Sequence, residues 1–185
     1  MIAKPRATIE DLYRVEGKAE LVNGEIVHLM ATGDEPNYAA GEVFVSLRAY
    51  VRLTGHGRAV TDSAGFIVHL AKRESFSPDA AFYVGPRSGM RFFEGAPVFA
   101  VQVRSESDAG PAAEREMAAK RADYFAAGTK VVWDVDLLSP EVVRKYTADA
   151  PANPMIFRRG DIADAEPAVP AWKMPVDDLF DEREE

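Results

Sequence analysis

The chain is 185 residues long with 47% hydrophobic side chains, enough for a substantial core, and a single domain over residues 1–185 is expected. It contains no cysteine, which excludes a disulfide frame and any thiolate metal site and fits a reducing compartment. The net charge is −8 and the closing run DDLFDEREE is acidic, so the bulk electrostatics do not draw the chain to nucleic acid, although a local basic groove is compatible with that total.

No secretory apolar segment follows the start MIAKPRATIEDLY, and no apolar run approaches the ~20 residues of a membrane-spanning helix, so a soluble cytoplasmic protein with no membrane partner is expected. In TIEDLY, Thr8 has the form of an N-cap with Asp11 as its capping-box partner, which predicts a short first helix. AELVNGEIVHLM reads as two strands joined by Asn23-Gly24, the dipeptide that supplies both positive φ angles of a type I′ turn. That two-residue loop sets Val22 opposite Glu25 and Glu20 opposite Val27. Glu20 then shares a face with Val22, Val27 and Leu29, which suits a carboxylate only if it reaches water at the strand end or meets a cation or donor.

After a loop over ATGDEPNY, the residues Val43, Phe44, Leu47, Tyr50 and Val51 recur at helical spacing, predicting a helix over 40–53 that TGHG ends. Short strands are expected around GRAVT and GFIVHL, then a charged loop, AKRES, then a strand within FSPDAAFYV. In that strand Asp79, Ala81 and Tyr83 share one face, and Pro78 stands at its start, where a missing N–H is tolerated. VFAVQVRSES alternates in the manner of a strand, with Val101 and Val103 on one face and Gln102, Arg104 and Glu106 on the other. The polar side is either solvent-facing sheet or a rail that meets something charged.

DAGPAAEREMAAKRADYFAAG predicts a helix over 111–127, with Pro111 in its first turn and Gly128 as its C′ residue. Lys120 lies in the apolar stripe with Met117 and Tyr124, so its stem either snorkels to water or carries the ammonium to carboxylates. KVVWDVD reads as a strand, EVVRKYT and PMIFRR as a hairpin-like pair with a long irregular link, and VPAWKMPVDDLF as an edge segment with a terminal helical turn. Several chemistries lack their signatures. There is no Gly-rich phosphate loop and no G-x-S-x-G elbow, and His28, His56 and His69 are too scattered to pair as zinc ligands.

The blocks AELVNGEIVHLM, SPDAAFYV, VFAVQVRSESD, AAKRADYFAAGTKVVWDVD and VPAWKMPVDDLF, in this order and at these spacings, resemble the Uma-two family of restriction-endonuclease-like proteins over nearly the whole chain. The resemblance implies an α/β (α+β) fold of the PD-(D/E)xK nuclease type, a central mixed β-sheet flanked by α-helices, with an N-terminal helix and β-hairpin. It also implies Mg²⁺- or Mn²⁺-dependent hydrolysis of DNA phosphodiesters. Carried over position by position, Glu20, Asp79, Gln102 and Lys120 match the catalytic residues, with Glu20, Asp79 and Gln102 as metal ligands. Arg104 is the candidate for the substrate phosphate.

Two departures stand out. Gln102 occupies a position where most members have glutamate, and Ser105-Glu106-Ser107 replaces Ser-Pro-Ser. An amide offers one neutral oxygen to a hard ion that favours carboxylates, so the resemblance implies weakened metal binding. Glu106, two positions beyond Arg104, is a candidate for restoring part of the lost charge. The alternative expectation is a homodimeric binding module that keeps the fold with a weak or inactive site. The net charge and Gln102 favour it, whereas retention of Glu20, Asp79 and Lys120 favours the nuclease.

Overall fold

The computed structural model describes residues 5–182; residues 1–4 and the end of the acidic tail, 183–185, lie outside the described residues. Thr8 caps helix α1 (Ile9–Leu12) through the reciprocal capping box expected with Asp11. Asn23 and Gly24 take φ angles of 55° and 74° between β1 (Ala19–Val22) and β2 (Glu25–His28), which pair with Glu20 opposite Val27 as the turn type requires. Helix α2 runs from Asp34 to Thr54, taking in much of the segment expected as a loop. The correction has a local cause: Pro36 falls in the first turn, where a backbone N–H has no intrahelical partner to lose, and Asp34 and Glu35 complement the helix N-terminus.

Strands β3 (Arg58–Val60), β4 (Phe66–Ile67), β5 (Ser75–Phe76), β6 (Ala80–Tyr83), β7 (Phe93–Glu94) and β8 (Phe99–Val103) follow, then helix α3 (Pro111–Ala126) with Gly128 at φ 103° beyond its end. Strands β9 (Val131–Val135), β10 (Val143–Thr147), β11 (Ala150–Phe157), β12 (Ile162–Asp164) and β13 (Lys173–Pro175) and a 3₁₀ turn, Val176–Leu179, complete the order. The link between β10 and β11 is short, with Thr147 paired to Ala150, and is not the long irregular connection expected. Pro151 and Pro154 obscured it in the sequence, yet both are tolerated because β11 is the edge strand of its sheet.

The main sheet is mixed and six-stranded, in the order β11-β10-β9-β8-β6-β3, with β8 and β9 parallel and the remaining neighbours antiparallel. Alternation divides its residues between two cores. On one face Ala80, Phe82, Phe99, Val101, Val103 and Trp133 pack against Ala39, Ala40, Val43 and Leu47 of α2 and the C-terminal segment around Trp172. On the other, Ala81, Tyr83, Ala100 and Val132 pack with Phe76 and with Tyr124 of α3. The face that carries Gln102 and Arg104 is therefore covered by a helix.

The N-terminal hairpin is a separate sheet tied to the segment before β5. Glu74 N–H donates to the Leu21 carbonyl (2.9 Å), Leu21 N–H to Ser75 Oγ (2.7 Å) and Asn23 N–H to the Lys72 carbonyl (2.9 Å). These bonds carry β1 and the 72–77 segment to the same end of the main sheet.

Trp133 is fully buried against Phe99 and Trp172, and its indole N–H donates to the Asp164 carbonyl at 3.0 Å. Trp133→Ala should cost about 3–5 kcal/mol through lost burial and the cavity left behind, read from the urea unfolding midpoint.

Candidate active site

The β6–β8 register pairs Ala80 with Val101, so one step further Asp79 stands opposite Gln102 and both side chains lie on the α3 face. The Asp79 N–H donates to the Val101 carbonyl at 3.0 Å, and Asp79 Oδ2 accepts from the Val103 N–H at 2.7 Å. Gln102 donates its amide N–H to the Tyr124 hydroxyl at 3.2 Å, and its carbonyl oxygen accepts no hydrogen bond from the described residues.

Glu20 answers the question its hairpin raised. Its residue is only 3% exposed, and both a donor and two cations meet it: the Ser77 N–H (2.8 Å) and Lys120 Nζ (2.8 Å) at Oε1, and the Arg73 guanidinium (2.7 Å) at Oε2. Burial alone would push the Glu20 carboxyl up, but the charges of Lys120 and Arg73, with the bonds from Lys120 and Ser77, hold it below its ordinary value. Arg73 also donates through Nε to Asp123 at 2.8 Å and lies over the Phe76 ring, 5.0 Å from its centroid. Lys120 thus carries its ammonium to a carboxylate.

Tyr124 ties the two halves together. Its ring stacks on Phe76 at 3.9 Å, and its phenol is raised well above the ordinary value by burial, then by the charges of Glu20 and Asp79. The phenol therefore stays protonated between them. Beside it, a small pocket is lined by Gln102, Met117, Lys120, Arg121, Tyr124 and Asp134. Glu20, Asp79, Gln102 and Lys120 are thereby brought to one region under α3.

Lys18 completes the cluster, with Nζ 2.7 Å from Asp79 Oδ1 and in contact with Asp62 as well. Four carboxylates (Glu20, Asp62, Asp79, Asp123) face three cations (Lys18, Arg73, Lys120), leaving a local charge of −1. A cavity of about 170 Å³, lined by Tyr13, Val15, Lys18, Ser63, Ser77 and Phe92 among others, opens beside Lys18 and Ser77. Lys18, Asp62, Arg73 and Asp123 escaped sequence reasoning. Arg73 lay in a segment that reads as an exposed charged loop, and its only signal was the need of a half-apolar hairpin face for a cation.

Arg104 is committed elsewhere. It meets Asp134 through Nε (2.7 Å) and Nη2 (2.6 Å), Glu114 through both terminal nitrogens, and the Asp108 carbonyl, so all five guanidinium N–H groups are engaged. These bonds hold it above its ordinary value and leave no N–H for a phosphate. Its partners are Asp134 and Glu114 rather than Glu106, which is exposed in the following turn.

A hard divalent ion takes oxygen ligands, and this face of the sheet supplies few. No group of three or more His, Cys, Asp or Glu side chains among the described residues forms a ready cage. Asp79, whose Oδ1 meets Lys18 and whose Oδ2 accepts from the Val103 N–H, and the uncommitted oxygen of Gln102 stand on paired positions as one carboxylate and one carbonyl. That set fits an ion that takes one or two carboxylates and fills its sphere with water and substrate phosphate. Glu20, 3% exposed and already met by two cations and a backbone N–H, fits as an orienting group for Lys120.

The mixed sheet lies between α2 and α3, with the acid and amide positions paired and the helix-borne lysine on the α3 face, an α/β fold with its polar cluster on one side of the sheet. The chain belongs to the Uma2 family, described as "Putative restriction endonuclease", whose family model matches residues 7–177. It is similar to the crystal structure of a DUF820 protein from Anabaena variabilis, described as "a putative nuclease", with TM-score 0.72 and 14% identity over 94% of this chain and 97% of that one. No curated protein matches the chain. Among the described residues no helix is long and apolar enough to cross a membrane.

Arg73→Met should destabilise the fold by about 3–5 kcal/mol, because it leaves buried carboxylate charge undercompensated; the check is chemical denaturation at neutral pH. A depressed folded-state pKa means that ionised Glu20 contributes stability above the ordinary glutamate value. That contribution is lost as pH falls through the ordinary value toward the folded one. The stability difference between wild type and Glu20→Gln should accordingly be full at neutral pH and shrink below the ordinary glutamate range, measured as unfolding midpoints across pH.

Proposed function

We propose that this chain is an endonuclease of one restriction-endonuclease-like domain over residues 1–185, hydrolysing DNA phosphodiesters with Mg²⁺ or Mn²⁺ at a site weakened by Gln102. The observation that carries the reading is the gathering of Glu20, Asp79, Gln102 and Lys120 on one side of the sheet, in a chain of the Uma2 family. Asp79 and Gln102 are the residues that would hold the ion. When bound, such an ion acidifies a water and neutralises charge developing on the phosphate.

The remaining work falls to the chain's own side chains. Lys120 presents an ammonium to the attacking water or to a phosphate oxygen, and Glu20 orients it from a buried position. Tyr124, kept protonated, fixes the Gln102 amide. Arg104 has a positioning role: by clamping Asp134 of β9 and Glu114 of α3, it holds the helix that bears Lys120 against the strand that bears Gln102. A homodimeric binding module is the second reading, favoured by the cations that already compensate Glu20 and Asp79.

Gln102→Glu should tighten Mn²⁺ binding by about tenfold or more, the equivalent of roughly 1.4 kcal/mol. The same change should raise metal-dependent nicking of supercoiled plasmid, while Asp79→Ala should abolish both. Should Gln102→Glu bind no metal, cut nothing and simply melt earlier, as expected of a second carboxylate beside Asp79 with no cation of its own, the binding module becomes the better account.

A further inference from the structure

The Lys18 ammonium sits where a metal at Asp79 would have to go. It contacts Asp79 and Asp62 together, and only 11% of its side chain is exposed. An ion within ~2.0–2.1 Å of Asp79 Oδ1 would crowd an ammonium held 2.7 Å from the same oxygen, and two cations would be forced together on one carboxylate. Lys18 and a metal therefore compete for this oxygen.

Lys18 also has somewhere else to go. It borders the 170 Å³ cavity, whose wall includes Gly17, Ser63 and Ser77, and Gly17 is exposed at φ 85° immediately before it. The four-carbon stem lets the ammonium swing from Asp79 into that space while its Cα stays with the hairpin. Arg104, the other basic residue considered for the phosphate, has no donor left.

We propose that Lys18 is the phosphate-contacting residue of this site, and that before substrate arrives its ammonium holds the metal position at Asp79 closed. This inference rests on the metal-assisted reading above. An incoming DNA phosphate in the cavity draws the ammonium off Asp79, so substrate binding opens the carboxylate to the ion.

The test is a pair of binding measurements on the full chain. Mn²⁺ is titrated calorimetrically without DNA, and a short DNA duplex is titrated in EDTA at several salt concentrations. Lys18→Met should tighten Mn²⁺ about tenfold or more, as expected on removing a neighbouring like charge. It should also weaken the duplex and lower the slope of log affinity against log salt by about one. A merely structural lysine would move both affinities in the same direction or neither, which overturns the proposal. Lys18→Gln, which keeps a polar group between the two aspartates, should give the same opposed pair, and thermal melts of both variants establish that they fold. If wild type binds Mn²⁺ through Asp79 and the lysine variants do not tighten it, Lys18 loses this role while the metal-assisted reading stands. If wild type, Gln102→Glu and both lysine variants all fail to bind Mn²⁺, the metal-assisted reading itself falls and this inference with it.

Discussion

The buried carboxylate of Glu20 is the constraint on which the rest of the site depends. A charge removed from water must be met by donors and counter-charges, and here they come from three separate parts of the chain: Ser77 on the approach to β6, Arg73 on the segment beside the hairpin, and Lys120 on α3. Satisfying that one group brings the hairpin, a sheet strand and a helix to a common point. The backbone bonds between Leu21 and the 74–75 segment hold the same geometry independently, so the carboxylate and the hairpin dock together.

A second buried charge centre reinforces the arrangement from the neighbouring strands. Arg104, immediately after β8, and Asp134 on the parallel neighbour β9 are both buried and form a bidentate pair that Glu114 extends to α3. The helix is thus fastened near its N-terminus by Arg104 and further along by Lys120, with Tyr124, one turn beyond Lys120, filling the core. Polar fastening suits a helix with few fully buried apolar residues; Tyr124 is the one on α3.

The electrostatic balance bears directly on chemistry. Glu20, Asp62, Asp79 and Asp123 are matched by Lys18, Arg73 and Lys120, so the cluster carries a net charge of only −1. Any ion that binds must compete with these internal cations. The Gln102 amide adds no charge to that competition, because a neutral oxygen attracts a hard cation less strongly than a carboxylate does. The Gln102 oxygen accepts no hydrogen bond from the described residues and stands on the position paired with Asp79.

Much of the local geometry was legible in the sequence. Asn23-Gly24 determined the hairpin turn and hence the face of Glu20; the period-two pattern of VFAVQV determined that Gln102 and Arg104 share a face opposite Val101 and Val103; Pro111 and Gly128 bracketed α3. The start of α2 and the short β10–β11 connection were hidden by prolines, whose usual meaning as breakers is suspended in a first helical turn and on an edge strand. Only the tertiary structure decided which charges meet. Arg73 reaches Glu20 across 53 positions, Lys18 reaches Asp79 across 61, and Arg104 reaches Asp134 across 30. Periodicity and turn chemistry act over a few residues and orient a side chain relative to its own backbone, whereas the partner of a buried charge is set by how separate elements dock.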